Sequence, residues 1–196
     1  MKKGLFLFMF IIIFLSINFG EIDKKLMKKA EKGVVEAQYK IGRMYDLGKN
    51  TEEDKQKAIQ WYTKAANGGY APAQVRLGGM YRLGDGVEKN YKKAYEFFEK
   101  ASNQGDISGK LELARLLYLG RGVDQNFKKS FQLNKEAAKS GSSKGQYNIA
   151  MMYYFGEGVS KDLKKSKQWL NKIINDPKAE SSVKKDAKRV LDNLEF

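Results

Sequence analysis

The sequence predicts an all-α fold, a right-handed α-solenoid of stacked helix-turn-helix repeats. Three observations lead there. Gly48, Gly84, Gly120 and Gly156 recur every 36 residues. Around them Gly84-Asp85-Gly86-Val87, Gly120-Arg121-Gly122-Val123 and Gly156-Glu157-Gly158-Val159 are three copies of one turn. A fixed period in this range marks a repeat array, in which each unit buries its apolar face against its neighbours. Between the turns, small and apolar residues fall at helical spacing, and outside the first segment no strand alternation of any length competes.

The first segment differs in kind. Met1-Lys2-Lys3-Gly4 is basic, Leu5 to Leu15 is uninterruptedly apolar, and charge begins at Glu21. Residues 1–20 therefore read as a signal peptide cleaved near Gly20. An uncleaved anchor is the alternative, although Leu5 to Phe19 is short for a span of ~20 residues. Absence of Cys excludes a lipidated N-terminus. Residues 21–196 then form a single repeat domain. It opens with a capping helix at 22–32, continues with repeats at 33–68, 69–104, 105–140 and 141–176, and closes with a capping helix at 178–194. The last carries Val183, Ala187, Val190, Leu191 and Leu194 as one stripe.

Each repeat reads as two helices. The first presents Ala37, Ala73, Gly109 and Gly145, then Ile41, Leu77, Leu113 and Ile149, then Gly42, Gly78, Ala114 and Ala150, then Tyr45, Tyr81, Leu117 and Tyr153. These columns share one helical face, small where a neighbouring helix must approach. The second helix starts at Asp54, Asn90, Asn126 and Asp162, all good N-caps. Behind them come Ala58, Ala94, Ser130 and Ser166, then Trp61, Phe97, Leu133 and Trp169, then Ala65, Ala101, Ala137 and Ile173. Gly69, Gly105 and Gly141 close it. The core is expected to rest on Trp61, Trp169 and the Tyr column.

The pattern A-x-x-x-(L/I)-(G/A)-x-x-Y-x-x-G-x-G-V-x-x-(D/N)-x-x-K-(A/S)-x-x-W resembles the Sel1-like repeat, a relative of the tetratricopeptide repeat. It covers about residues 30–174 in four copies. Repeat 1 departs from it at Asn50 and Thr51, and repeat 3 at Leu117. The resemblance implies a non-catalytic protein-interaction module, used as an adaptor in signalling or host interaction and sometimes as an immunity protein.

Composition limits the chemistry. With no His and no Cys, the commonest general base, thiol nucleophiles and most transition-metal sites are excluded; no cofactor or metal is expected. The Gly-x-Gly turns follow a helix rather than a strand and recur, so they read as turns and not as phosphate loops. Ser181-Ser182-Val183-Lys184 and Lys139-Ser140-Gly141 match fragments of a penicillin-recognising site, but in reversed chain order. Because some Sel1-like proteins carry a β-lactamase label, a β-lactam- or cell-wall-directed enzyme is the enzymatic alternative. Lys plus Arg number 37 against 23 acids, a net charge of +14. Lys92-Lys93, Lys128-Lys129 and Lys164-Lys165 read as a solvated outer face, with adhesion to an anionic envelope polymer as the alternative. Nucleic acid is not expected as a partner, and a membrane only through the leader if it stays attached.

The binding surface follows by subtraction. First-helix positions not needed for the core are Glu36, Tyr39, Arg43 and Asp46 and their equivalents one, two and three repeats on. In the resembling tetratricopeptide family these positions line the concave groove. The candidate site is therefore Tyr39, Arg43, Arg82, Arg115, Tyr118, Tyr147, Met151 and Tyr154, with Tyr as anchors and Arg as carboxylate partners. The expected partner is a protein or peptide with an acidic or extended segment, met in the periplasm or outside the cell.

Overall fold

The structure is a computed structural model that describes residues 22–194; the leader expected at 1–20 lies outside them. Among the described residues there are ten helices and no strand: α1 Lys24–Glu31, α2 Val35–Leu47, α3 Lys55–Asn67, α4 Ala71–Leu83, α5 Tyr91–Asn103, α6 Ile107–Leu119, α7 Phe127–Lys139, α8 Ser143–Phe155, α9 Leu163–Asn175 and α10 Ser181–Asp192. Each packs on its chain neighbours, so the array is an α-solenoid. The first helices of the repeats are α2, α4, α6 and α8. None of the described helices is long and apolar enough to cross a membrane.

Local chemistry sets the helix ends. The side chains of Asp54, Asn90, Asn126 and Asp162 each accept the backbone N–H three residues on, at 2.8–2.9 Å. These satisfy donors that no helical carbonyl can reach. The first helices end at Gly48, Gly84, Gly120 and Gly156, all left-handed. Repeat 1 lacks the second turn glycine, and Asn50 takes its left-handed role with φ 59°. Asparagine tolerates that region better than other side chains do, which is why the departure leaves the turn intact.

The core corrects one expectation. Trp61 and Trp169 are only half-buried, whereas the next residue, Tyr62 or Leu170, is fully buried. The deep column that carries the large buried side chains is Tyr62, Phe98, Asn134 and Leu170. At about 100° per residue, offsets 4, 8 and 11 from the N-cap bracket a narrow arc, and offset 7 falls at its edge. There the rings are roofed from solvent by lysines one turn on: Lys64 Nζ stands 4.1 Å from the Trp61 ring and Lys172 Nζ 4.9 Å from that of Trp169. These contacts are cation–π pairs at partly wet positions. The Tyr column behaves alike, half-buried at Tyr45, Tyr81 and Tyr153 and deep only where repeat 3 has Leu117.

Facing columns are matched in size. A Cβ on Gly42 would sit 2.7 Å from the Tyr62 ring, and one on Gly78 2.6 Å from the Phe98 ring. Where the ring is replaced by Asn134 or Leu170, the facing residue is Ala114 or Ala150. A close-packed interior permits only such paired changes.

Candidate functional site

Between successive first helices the array carries a row of rungs. The last-turn residue of one repeat meets a residue 30 positions later on the next first helix. In the first rung this is Asp46, 4% exposed. Arg76 grips it with Nε at 2.7 Å and Nη2 at 2.8 Å, Lys55 Nζ at 2.8 Å, and the Tyr62 hydroxyl donates at 2.9 Å. Asp85 lies behind, 3.1 Å from Arg76. Burial alone would raise the Asp46 carboxyl, but the donors from Arg76, Lys55 and Tyr62 outweigh it and hold the pKa at about 2. In the second rung the charges are reversed: Arg82 Nε stands 3.4 Å from Glu112, which Arg115 also approaches at 3.7 Å. The first rung lies against the fully buried ring of Tyr62, whose hydroxyl donates to Asp46; the corresponding ring of repeat 2, Phe98, is also fully buried.

The third rung is open. Its positions are Tyr118 and Asn148, both neutral. Tyr118 donates instead to Glu157 at 2.6 Å, which pushes its pKa up to about 12. Asn148 donates to the Asn134 side chain at 2.8 Å. With Asn134 in the deep column, no ring fills the space below. The result is a cleft of about 480 Å³ between α6 and α8, floored by α7. Leu111, Leu119, Met151 and Met152 wall it, Ser130, Asn134 and Asn148 floor it, and Arg115, Lys144, Glu112 and Glu157 edge it. That volume suits a ligand or a short peptide segment.

The eight side chains expected at the site are dispersed. Arg115, Tyr118 and Met151 line the cleft. Arg43 lies far along the array in a shallower hollow of about 270 Å³ with Leu26, Lys40 and Leu47. Arg82 is turned inward by Glu112. Tyr39 is wedged between the rings of Tyr62 at 5.5 Å and Tyr70 at 5.3 Å. Tyr147 packs on the cluster of Leu170, Val183 and Ala187 under the terminal helix. Tyr154 stacks edge-on against Phe155 at 4.8 Å. Packing thus takes up part of the surface that column variability had pointed to.

One feature of the surface escaped that reasoning. Leu47, Leu83, Leu119 and Phe155 stand at the repeat period, just before the glycine cap, and are 40–61% exposed. They form an apolar column along the same edge of the array, and Leu119 joins it to the cleft. The spacing was legible, but these positions fall outside both the core columns and the columns left over by subtraction. Ser181 and Ser182 are exposed on the first turn of α10, and the Ser140 hydroxyl donates to the Glu136 carbonyl at 3.2 Å. Among the described residues no group of carboxylates could hold a metal ion.

The Sel1 repeat family matches the chain at residues 35–70, 71–106, 108–142 and 143–175. The chain belongs to the Sel1 repeat family. That family is generally a non-catalytic protein-interaction fold. This Sel1 repeat chain is similar to c5321, a protective antigen of uropathogenic Escherichia coli with an SLR fold, at 31% identity and TM-score 0.75. The match covers 78% of this chain and 33% of that one. A Sel1 repeat protein from Oxalobacter formigenes is 33% identical with TM-score 0.72, over 76% of this chain and 61% of that one. Cysteine rich protein B of Helicobacter pylori is 29% identical with TM-score 0.51, over 64% of this chain and 96% of that one. The chain therefore spans about a third and about three fifths of the first two of these structures. No curated protein matches it closely enough to count as a relative.

Proposed function

We propose that this Sel1 repeat array is an exported, non-catalytic adaptor that docks a segment of a partner protein between the first helices of repeats 3 and 4. The observation that carries the reading is the open third rung. Two rungs of the row are closed by ion pairs, Asp46–Arg76 and Arg82–Glu112, and the third leaves an apolar, methionine-walled cleft. Flexible, polarisable methionines suit a surface that must fit another chain. The exposed column of Leu47, Leu83, Leu119 and Phe155 extends the contact beyond the cleft, as an extended segment requires. Export rests on the leader pattern of residues 1–20, and the likeness to a protective antigen supports it.

The test uses residues 21–196 as bait for envelope and secreted fractions, with Arg115→Glu/Met151→Glu as control. Both side chains line the cleft and leave the deep columns untouched, so the variant keeps its helical circular dichroism. A discrete protein held by the wild type, retained at moderate salt and released by the variant is the expected result. Capture that is equal for both and fades steeply with salt would instead favour the Lys faces of the second helices, since screening weakens exposed charge first.

A further inference from the structure

The deep column supplies an internal template for what the cleft receives. Tyr62, Phe98 and Leu170 each reach fully buried beneath a first helix. Asn134 occupies the same column and is smaller; it is itself buried, 3% exposed, and the cleft that opens to the surface reaches down to it. We propose that this space takes an aromatic side chain of the partner segment, with an acidic residue beside it in that segment. The inference rests on the docking reading and specifies its anchor.

Four features fit that occupant. The floor asks nothing of it: the Asn134 amide donates to the Ser130 carbonyl at 3.0 Å, and its oxygen accepts from Asn148 at 2.8 Å. A ring laid on a satisfied amide strips no hydrogen bond, whereas an unsatisfied floor would demand a polar ligand. The walls offer Met151 and Met152, and thioether sulfur packs favourably against ring edges. At the rim, Arg115 is half exposed and only loosely paired, 3.7 Å from Glu112. Its guanidinium is available to a carboxylate next to the ring, and the chain's net charge of +14 favours an acidic segment. Finally, about 480 Å³ exceeds one ring, so the anchor enters with its flanking backbone.

The array also shows how to refill the space. Asn134→Leu over Ala114 copies the Ala150–Leu170 pair of repeat 4. Ala114→Gly with Asn134→Phe copies the Gly78–Phe98 pair of repeat 2. Either variant should fold at least as stably as the wild type, and the second carries the test if the first does not. The probe is N-acetyl-aspartyl-phenylalaninamide at millimolar concentration, read by the methyl resonances of Met151 and Met152. Expected are saturable shifts in the wild type, at least about tenfold weaker binding of the alanine counterpart, weakened binding in Arg115→Gln, and no shift in either filled variant. Absence of shifts in the wild type, equal binding of the alanine dipeptide, or unchanged shifts in the filled variants would overturn the anchor. A partner captured equally by wild type and Asn134→Leu, yet lost with Arg115→Glu/Met151→Glu, would also overturn it while leaving the docking face in place.

Discussion

Replacing Asp46 with alanine destabilises the array by about 3 kcal/mol at neutral pH, the low end for breaking a buried ion pair. The change leaves the Arg76 guanidinium and the Tyr62 hydroxyl without their main acceptor at the joint between repeats 1 and 2. Arg76 and Lys55 keep partial access to water and to Asp85, which tempers the loss. The sign with pH follows from the carboxyl itself. Its pKa is lowered from 3.8 in the unfolded chain to about 2 in the array. Its contribution, about 2 kcal/mol by linkage, is present above pH 4 and fades as pH falls through about 2. Denaturant titrations of wild type and Asp46→Asn should therefore differ most at neutral pH and converge in strong acid. A gap that stays constant down to pH 2 would show that the charge of Asp46 is not what stabilises the joint.

The second large effect separates the deep column from its neighbour. Phe98→Ala removes a ring with no solvent exposure and should cost about 3–5 kcal/mol. Trp169→Ala removes a larger ring that is only half-buried beneath Lys172, and should cost about 1–2 kcal/mol. Denaturant midpoints at equal m-value check the order. If Trp169 proves the costlier residue, the core lies where column composition alone places it, and the size argument for the cleft loses its footing. Because each repeat contacts only its neighbours, the Phe98 variant should loosen both interfaces of repeat 2 and spare the terminal helix.

The contrast between these residues shows what the sequence could carry. Glycine ends, Asp and Asn caps and the small columns of the first helices act within one unit. Each is written four times, so register alone exposes them. Tyr62, Phe98 and Leu170 were harder, because the Trp61, Phe97 or Trp169 beside them reads as the core residue and depth depends on one residue of helical phase. The rungs were out of reach for a different reason. They join residues 30 apart in different repeats, and their chemistry changes from Asp46–Arg76 to Arg82–Glu112 to Tyr118–Asn148, so no column repeats. Column variability pointed to faces of the first helices but could not tell a residue tied into a rung, such as Arg82, from one left at an open rim, such as Arg115. The gap at Asn134 becomes visible only once its column is known to be the deep one.

The location of the partner is tested most directly by photo-crosslinking. A benzophenone side chain is placed at Leu119, where the apolar column meets the cleft, or at Lys92 on the outer face of a second helix. Each labelled protein is exposed to the same envelope and secreted fractions and irradiated. A docked segment in the third rung gives one discrete adduct from Leu119, competed by unlabelled wild type but not by Arg115→Glu/Met151→Glu, and none from Lys92. The same adduct from Lys92, or adducts from Leu119 that the cleft variant competes equally well, would contradict a docking site between repeats 3 and 4.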